Sequence, residues 1–203
     1  MPPIDPPLFR WLLLLVLVVN GTITSYHRAR ARSEETIPRN AESLPLRLAR
    51  TAFALPGLLL LLAFVIHPPW IAWSSMALPA WSRWLGVVVG LAVAPLNVWV
   101  LRSLGKNVSE TVLTKDSHEL VSAGPYRWVR HPLYTSGFLM IGALSLVAAN
   151  WLMAALTLGA IVLISFVIIP REEAELVKKF ESRYEEYRRG TGRLLPRFLP
   201  TRS

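Results

Sequence analysis

The side chains best suited to chemistry lie in one stretch, Gly124–Tyr134, which combines arginine, histidine and aromatic residues and leads directly into an apolar run. Its centre is Arg130-His131-Pro132, and Tyr134 follows two residues later. Charged and imidazole groups are costly to keep at the mouth of a membrane segment, so their presence there indicates a functional site. A second polar group, Glu172-Glu173 with Arg171 before it, follows the last apolar run.

These two polar groups predict a site for a ligand that carries both charges. Pro132 fits the first turn of a helix, and the free N–H groups of such a turn attract anions. Arg130 and His131 add donors, whereas Glu172 and Glu173 offer acceptors for a cation. The alternative is that the basic residues anchor to lipid head groups and that the glutamates begin a surface helix. Rings that could stack on a flat part of the ligand belong to Tyr126, Trp128 and Tyr134.

The elements that must position these groups are membrane helices. Of the 203 residues, 53% are hydrophobic and 17% are charged, where a soluble domain carries about 25% charged residues. The prediction is an all-α integral membrane protein, a single domain with three helices in residues 1–101 and a second region, residues 102–198, that contains the last helical hairpin and a C-terminal helix. The last two helices form a hairpin turning near Asn150-Trp151, which brings the two polar groups together. The five predicted spans are Leu8–Tyr26, Thr51–Ile66, Trp84–Leu101, Leu133–Ala149 and Trp151–Ile169.

The distribution of charge predicts the orientation. Twenty of the 22 Lys and Arg residues lie in Arg28–Arg50, Arg102–Arg130 and Arg171–Arg202. Five spans with an outside N-terminus place all three segments, the site and the C-terminus in the cytoplasm, as the positive-inside rule requires of a multi-pass protein of the cell (inner) membrane. Topology and anionic lipids therefore explain the net charge of +9, and no nucleic-acid partner is expected. Cysteine is absent and the four histidines lack a metal-ligand spacing, so no metal site is predicted.

Two further segments surround the expected site. Residues Arg171–Arg189 predict a cytoplasmic amphipathic helix, which either lies on the membrane surface or covers the site as a lid. Within the third span, Pro95 opens the helix, and Asn97 close to it is a candidate substrate contact, with helix packing as the alternative.

The motif Gly124-x-Tyr126-x-x-x-Arg130-His131-Pro132-x-Tyr134, preceded by His118-x-Leu120-Val121 and followed by Glu172-Glu173-x-x-Leu176, resembles the isoprenylcysteine carboxyl methyltransferase family. Phospholipid N-methyltransferases share much of the pattern. The resemblance covers about residues 100–198 and implies S-adenosylmethionine as cofactor, bound from the cytosol. It also implies a lipophilic acceptor delivered from the bilayer, with carboxyl O-methylation of an isoprenylcysteine-like substrate favoured.

The functional positions of the family can be carried over to this sequence residue by residue. Two positions depart from the family: Thr111, where relatives can carry glutamine, and Ile168, where some relatives carry a substrate-contacting arginine. Arg171 is close to the latter but lies on a different helix face, and it joins Asn97 as a candidate substrate contact. The residues implied to bind the cofactor are Thr111, His118, Leu120, Val121, Gly124, Tyr126, His131, Pro132, Tyr134 and Glu172. Apart from this carry-over, we expect Arg130, His131 and Tyr134 to position the reactants, with Glu173 as a further catalytic candidate.

The type of acceptor decides which groups must do chemistry. A carboxylate acceptor is ionised at neutral pH and needs no base, so the protein mainly positions the reactants. An amine acceptor, as in phospholipid N-methylation, must first lose a proton to Glu172, Glu173 or His131. Two other classes remain open from the sequence: an NADPH-dependent enzyme resembling the membrane sterol reductases, and a non-enzymatic membrane protein. The acceptor and the oligomeric state are left undefined.

Overall fold

The protein is described by a computed structural model over residues 7–31, 44–66, 69–105 and 119–197. The regular structure of these residues is helical throughout, in agreement with the predicted all-α class. The α-helices are α1 (Pro7–Ala31), α2 (Leu44–Ile66), α3 (Ala80–Leu104), α4 (Pro132–Ala148), α5 (Trp151–Leu163) and α6 (Ile169–Gly190). Short 3₁₀ helices cover Pro69–Ser74 and Gly124–Arg127, and a π-helical turn covers Ile164–Ile168.

Four to five of these helices have the length and composition to cross a membrane. Four are long enough, namely Pro7–His27, Leu44–Ile66, Ala80–Leu104 and the continuous helix Trp151–Gly190. The apolar helix α4 has 17 residues, which is near the lower limit of about 17–25 for a span. α2 begins before the predicted block because Pro45 is accommodated in its first turn, where a missing N–H is harmless.

The predicted hairpin between the last two apolar helices is confirmed. Ala149 adopts a left-handed conformation (φ 47°), and the side chain of Asn150 caps α5 by accepting a hydrogen bond from Met153 N at 3.0 Å. Asn150 Nδ2 also donates to Ser74 Oγ at 2.6 Å, which ties the turn to the segment between α2 and α3. The start of α4 and the end of α5 therefore lie at the same end of the bundle.

The centre of the bundle is α3, which packs along α4 and α1. Gly90 allows the close approach to α1, because a Cβ atom there would lie 2.7 Å from Val16 Cγ1. Polar side chains reinforce this contact: Asn20 Nδ2 donates to Gly90 O at 3.1 Å, and Asn97 Nδ2 donates to Asn20 Oδ1 at 3.2 Å. The structure therefore engages Asn97, a predicted substrate contact, in helix packing.

The chain passes from α5 to α6 through the π-helical turn. Ile169 N bonds to Ile164 O, five residues back, and the next residue, Pro170, has no N–H to continue the α-helical pattern. α6 is then kinked at Glu181 (φ 47°, ψ −125°) and ends at Gly190. Beyond it, the chain folds back on the start of α4, where Gly192 forms a parallel bridge with Val129.

Candidate active site

The two polar groups predicted from the sequence meet across the last hairpin. Arg130 Nε and His131 Nε2 both lie 3.0 Å from Glu173 Oε1, and Tyr134 OH donates to Glu172 Oε2 at 2.9 Å. The predicted convergence of these residues is therefore confirmed as geometry, and we call the set Arg130, His131, Tyr134, Glu172 and Glu173 the polar cluster. Its members come from the start of α4 and the start of α6.

Two basic partners make the Glu173 carboxylate an unusually weak base. The side chain is 12% exposed, and those of Arg130 and His131 are 11% and 4% exposed. Burial by itself raises the pKa of Glu173, but the hydrogen bond from His131 and the charge and hydrogen bond of Arg130 outweigh it and lower this pKa to about 2. Glu173 is therefore ionised throughout the neutral range and holds two cationic or hydrogen-bonding groups in place.

The segment after α6 closes the site from the other side. Arg130 N donates to Gly192 O at 2.8 Å, and His131 N donates to Arg193 O at 3.1 Å. The Arg130 guanidinium also donates from Nη1 to Arg188 O at 3.1 Å and to Thr191 O. Carbonyl groups of the chain itself thus accept hydrogen bonds from the two backbone N–H groups that precede α4. These two donors are therefore not available to the anion site predicted at the start of this helix.

Tyr184 brings an unpartnered hydroxyl to the polar cluster. The side chain is 1% exposed, and its OH has no hydrogen-bond partner. Burial raises the pKa of this phenol, and the carboxylates of Glu173 and Glu172 raise it further against the opposing charge of Arg130. An unsatisfied buried hydroxyl is unfavourable, so this group is suited to bind a polar atom of a ligand. The sequence predicts Tyr184 only as part of the amphipathic helix Arg171–Arg189 and does not assign it to the site.

The loop before α4 docks on the end of α3 through Gly124. This residue has φ +60°, and a Cβ atom there would collide with Ser103 Oγ. Both the backbone conformation and the lack of space therefore disfavour a larger residue. Trp128 packs edge-on against Trp99 with ring centroids 5.7 Å apart. Tyr126 is buried, and its carbonyl accepts a hydrogen bond from Tyr187 OH at 2.6 Å. These contacts fix the loop from which Arg130 and His131 project.

The remaining predicted residues are placed as follows. Thr111 and His118 lie outside the described residues. Leu120 and Val121 are half-buried, Pro132 is buried at the start of α4, and Arg171 is exposed. Ile168 is 2% exposed and packs with Leu46 of α2 and with the ring of Tyr134, so the position that is an arginine in some relatives lies here in an apolar cluster.

Comparisons with known proteins agree with the predicted resemblance. Residues 84–178 match the isoprenylcysteine carboxyl methyltransferase family, which confirms it. Methanethiol S-methyltransferase 2 of Bradyrhizobium diazoefficiens is 28% identical over 173 residues, which are 80% of this chain and 65% of that protein. The nickel-cobalt-cadmium resistance protein NccN of Alcaligenes xylosoxydans xylosoxydans is 34% identical over 89 residues, 44% of this chain and 41% of that protein.

The fold has a counterpart of known structure. A solved structure of the eukaryotic intramembrane Ras methyltransferase, isoprenylcysteine carboxyl methyltransferase, matches 96% of this chain and 69% of its own, with a TM-score of 0.53 and 20% sequence identity. This likeness establishes the fold. The chain spans less than two thirds of the length of methanethiol S-methyltransferase 2. The matched family and the solved structure are both named as methyltransferases.

Proposed function

We propose that this chain, which resembles the isoprenylcysteine carboxyl methyltransferase family, transfers a methyl group from S-adenosylmethionine to a lipophilic acceptor that enters from the bilayer. The observation that carries the proposal is the polar cluster, in which Arg130-His131 meets Glu173 and Tyr134 meets Glu172 across the last hairpin. All five residues lie within the matched residues 84–178.

The groups in the site suit this cofactor. S-adenosylmethionine carries an ammonium, a carboxylate, a sulfonium and a flat adenine ring. Glu172 offers a carboxylate for the positive groups, and the unpartnered Tyr184 hydroxyl offers a donor for a negative one. The ring of Tyr134 lies next to the ring of His131, its hydroxyl contacts Glu172, and it provides an aromatic face. We propose that these residues, with the motif positions Leu120, Val121, Tyr126, His131 and Pro132, hold the cofactor.

The residues of the polar cluster act mainly by positioning. When bound, S-adenosylmethionine supplies an electrophilic methyl group on a positively charged sulfur. Glu173 fixes the side chains of Arg130 and His131, and Tyr134 orients Glu172, so the geometry exists before the reactants meet. With its pKa near 2, Glu173 removes a proton poorly. Glu173 is therefore a poor base for an ammonium acceptor, whose pKa is about 10, and such an acceptor would depend on Glu172 or His131.

Two acceptor classes fit a site of this kind. Carboxyl O-methylation follows from the resemblance, because a carboxylate is already ionised at neutral pH. S-methylation is favoured by the relative named methanethiol S-methyltransferase 2, which matches 80% of the chain, and by the apolar surroundings of Ile168 in place of a substrate arginine. A thiol has a pKa of about 8.5, so part of it is thiolate near neutral pH.

We further propose that the polar cluster faces the cytoplasm, with α6 as the predicted amphipathic helix at that membrane surface. The exposed cations of α6 and the segment after it lie at the same end as the cluster. The chain has no cysteine, so single cysteines report the topology without background. Lys178→Cys is expected to react with a membrane-impermeant maleimide only in inverted vesicles. Ser75→Cys, between α2 and α3 and next to the hairpin turn, is expected to react only in intact cells. The reverse pattern would refute the orientation.

The cofactor is tested by calorimetric titration of purified protein with S-adenosylhomocysteine. Wild-type protein is expected to bind it, and Glu172→Ala and His131→Ala to bind it at least tenfold more weakly, the loss of a hydrogen bond to a charged group. Glu175→Ala is the matched control, because this glutamate on the same helix pairs with the exposed Lys178. No binding by the wild type, or equal binding by all variants, would contradict the proposal.

The acceptor is tested by radiolabelled methyl transfer to three compounds in parallel. They are an alkyl thiol, a prenylated cysteine analogue with a free carboxylate, and phosphatidylethanolamine. Label in the thiol or the carboxylate supports the corresponding class, and base-labile label identifies a methyl ester. Transfer to phosphatidylethanolamine alone would refute both classes and indicate a phospholipid N-methyltransferase.

A further inference from the structure

A cavity of about 400 Å³ lies between the end of α6 and the segment that follows it. Its volume falls within the range of roughly 300–1,000 Å³ typical of small-molecule pockets. The wall is formed by the backbone turn at Thr191 and Gly192 and by arginine side chains, and no acidic residue lines it among the residues that the structure describes. We call it the arginine cavity, and its arginines are Arg130, Arg188, Arg189, Arg193 and Arg197.

The positive charge of this cavity is largely uncompensated. Arg130 is paired with Glu173, but no ion pair between described residues reaches the other four arginines. Glu185, one turn before Arg189, offers that guanidinium its backbone carbonyl (Nε to O, 3.5 Å). Four neighbouring cations repel one another, so an anion in the cavity would be attracted to all of them.

Arg193 gives a second indication of a ligand. Its Nε atom is buried and has no hydrogen-bond partner, whereas its backbone carbonyl is already used by His131 N. A buried charged donor without an acceptor is unfavourable, and a ligand oxygen would satisfy it. The planar fork of a guanidinium matches the oxygens of a phosphate group, which it binds through two parallel hydrogen bonds.

The surroundings of the cavity suit the head-group layer of a membrane. Thr135, in the first turn of the apolar helix α4, donates to Leu194 O at 2.8 Å, so the cavity wall lies level with the start of a candidate span. Leu195, which follows Leu194, is 73% exposed, and Trp128, in the loop before α4, is 48% exposed. Tryptophan and exposed apolar residues beside arginines are typical of the membrane interface.

We propose that the arginine cavity binds a phosphate group, carried by an anionic membrane phospholipid or free in solution. The methyl-transfer proposal uses none of the side chains of Arg188, Arg189, Arg193 and Arg197. Binding at this cavity requires no cofactor, so it can be tested without reference to catalysis.

The test compares ligand-induced thermal stabilisation of the purified full-length chain in neutral detergent. Three ligands are titrated: short-chain phosphatidylglycerol, short-chain phosphatidylcholine and inorganic phosphate. The test variant is Arg189→Gln/Arg193→Gln, and Arg102→Gln/Arg183→Gln is the control, since it removes the same charge at exposed positions outside the cavity. An arginine near a head group contributes about a fivefold gain in affinity, so the test variant is expected to bind roughly 25-fold more weakly.

Each outcome has a definite meaning. Stabilisation by phosphatidylglycerol that the test variant loses and the control keeps supports a lipid phosphate, and the same pattern with inorganic phosphate alone supports a free one. Arg193→Lys, which keeps the charge but loses the fork, serves as a milder variant should the double variant be unstable. It is expected to bind more weakly than the wild type. Equal stabilisation of all variants, or no stabilisation of the wild type, would overturn the proposal.

Discussion

Replacing Glu173 with glutamine tests the central contact of the polar cluster. Glutamine keeps the size and one acceptor oxygen of the side chain but removes its charge. Arg130 and His131, which are 11% and 4% exposed, would then share a neutral oxygen in a buried environment. Breaking a buried pair by removing one partner is strongly destabilising, because the other charge remains uncompensated.

The size of the effect follows from the pKa of Glu173. It is lowered from 4.5 to about 2, and one pKa unit corresponds to 1.36 kcal/mol, so the ionised carboxylate contributes about 3 kcal/mol to folding at neutral pH. Because the folded-state pKa is the lower one, this contribution is fully present above pH 4.5. It is lost as the pH falls through the window from 4.5 to 2.

Thermal unfolding of detergent-purified protein measures the prediction. At pH 7, Glu173→Gln is expected to unfold roughly 6–12 °C below the wild type, as about 3 kcal/mol implies for a chain of this size. The difference between the two proteins should shrink as the pH is lowered from 4.5 toward 2. Glu175→Gln is the control, since its exposed pair with Lys178 is worth at most about 1 kcal/mol.

Two results would refute this reasoning. One is an unfolding temperature for Glu173→Gln at pH 7 that equals that of Glu175→Gln. The other is a difference from the wild type that stays constant between pH 5 and pH 3, since that would assign the effect to shape and not to charge.

Three other substitutions have defined outcomes. Gly124→Ala is expected to lower the free energy of unfolding by about 1–3 kcal/mol, because Gly124 has a positive φ and an added Cβ would collide with α3. Gly142→Ala, in open space on α4, is the control and should leave the free energy of unfolding unchanged. Equal effects of the two substitutions would contradict the packing role of Gly124. Asn97→Leu should lower the free energy of unfolding by about 0.6 kcal/mol and leave methyl transfer intact, if this residue only joins α3 to α1. A loss of activity without a loss of stability would instead indicate a substrate contact. Tyr134→Phe frees Glu172 and is expected to weaken S-adenosylhomocysteine binding about tenfold by calorimetry; unchanged affinity would argue against a shared site.

The convergence of the polar cluster was predictable because it depends on topology alone. Two apolar runs separated at Asn150 can only form a tight hairpin, and a hairpin returns the chain to the end where it started. The positions of His131 and Glu173 then follow from their places at the ends of these runs. The helix boundaries were less predictable, since Pro45 reads as a loop residue but fits the first turn of α2.

Contacts that depend on long-range backbone geometry could not be predicted. The return of Gly192 to Val129 involves residues with no shared pattern, and the π-helical turn depends on how Pro170 disturbs the helix before it. Tyr184 shares its helix face with Tyr187, and only the kink at Glu181 and the packing beneath it decide that its hydroxyl is buried without a partner. The sequence leaves Asn97 open between a substrate contact and helix packing, because its partner Asn20 is distant in sequence.

The return of the chain to Val129 has a consequence for biosynthesis. The carbonyls that receive Arg130 N and His131 N belong to Gly192 and Arg193, so they are synthesised about sixty residues after the loop that needs them. Until then α4 can enter the membrane, but its motif loop lacks the partners that order it. The site is therefore completed only after α6 and the segment that follows it have been synthesised, which delays ligand binding until the preceding helices have been made.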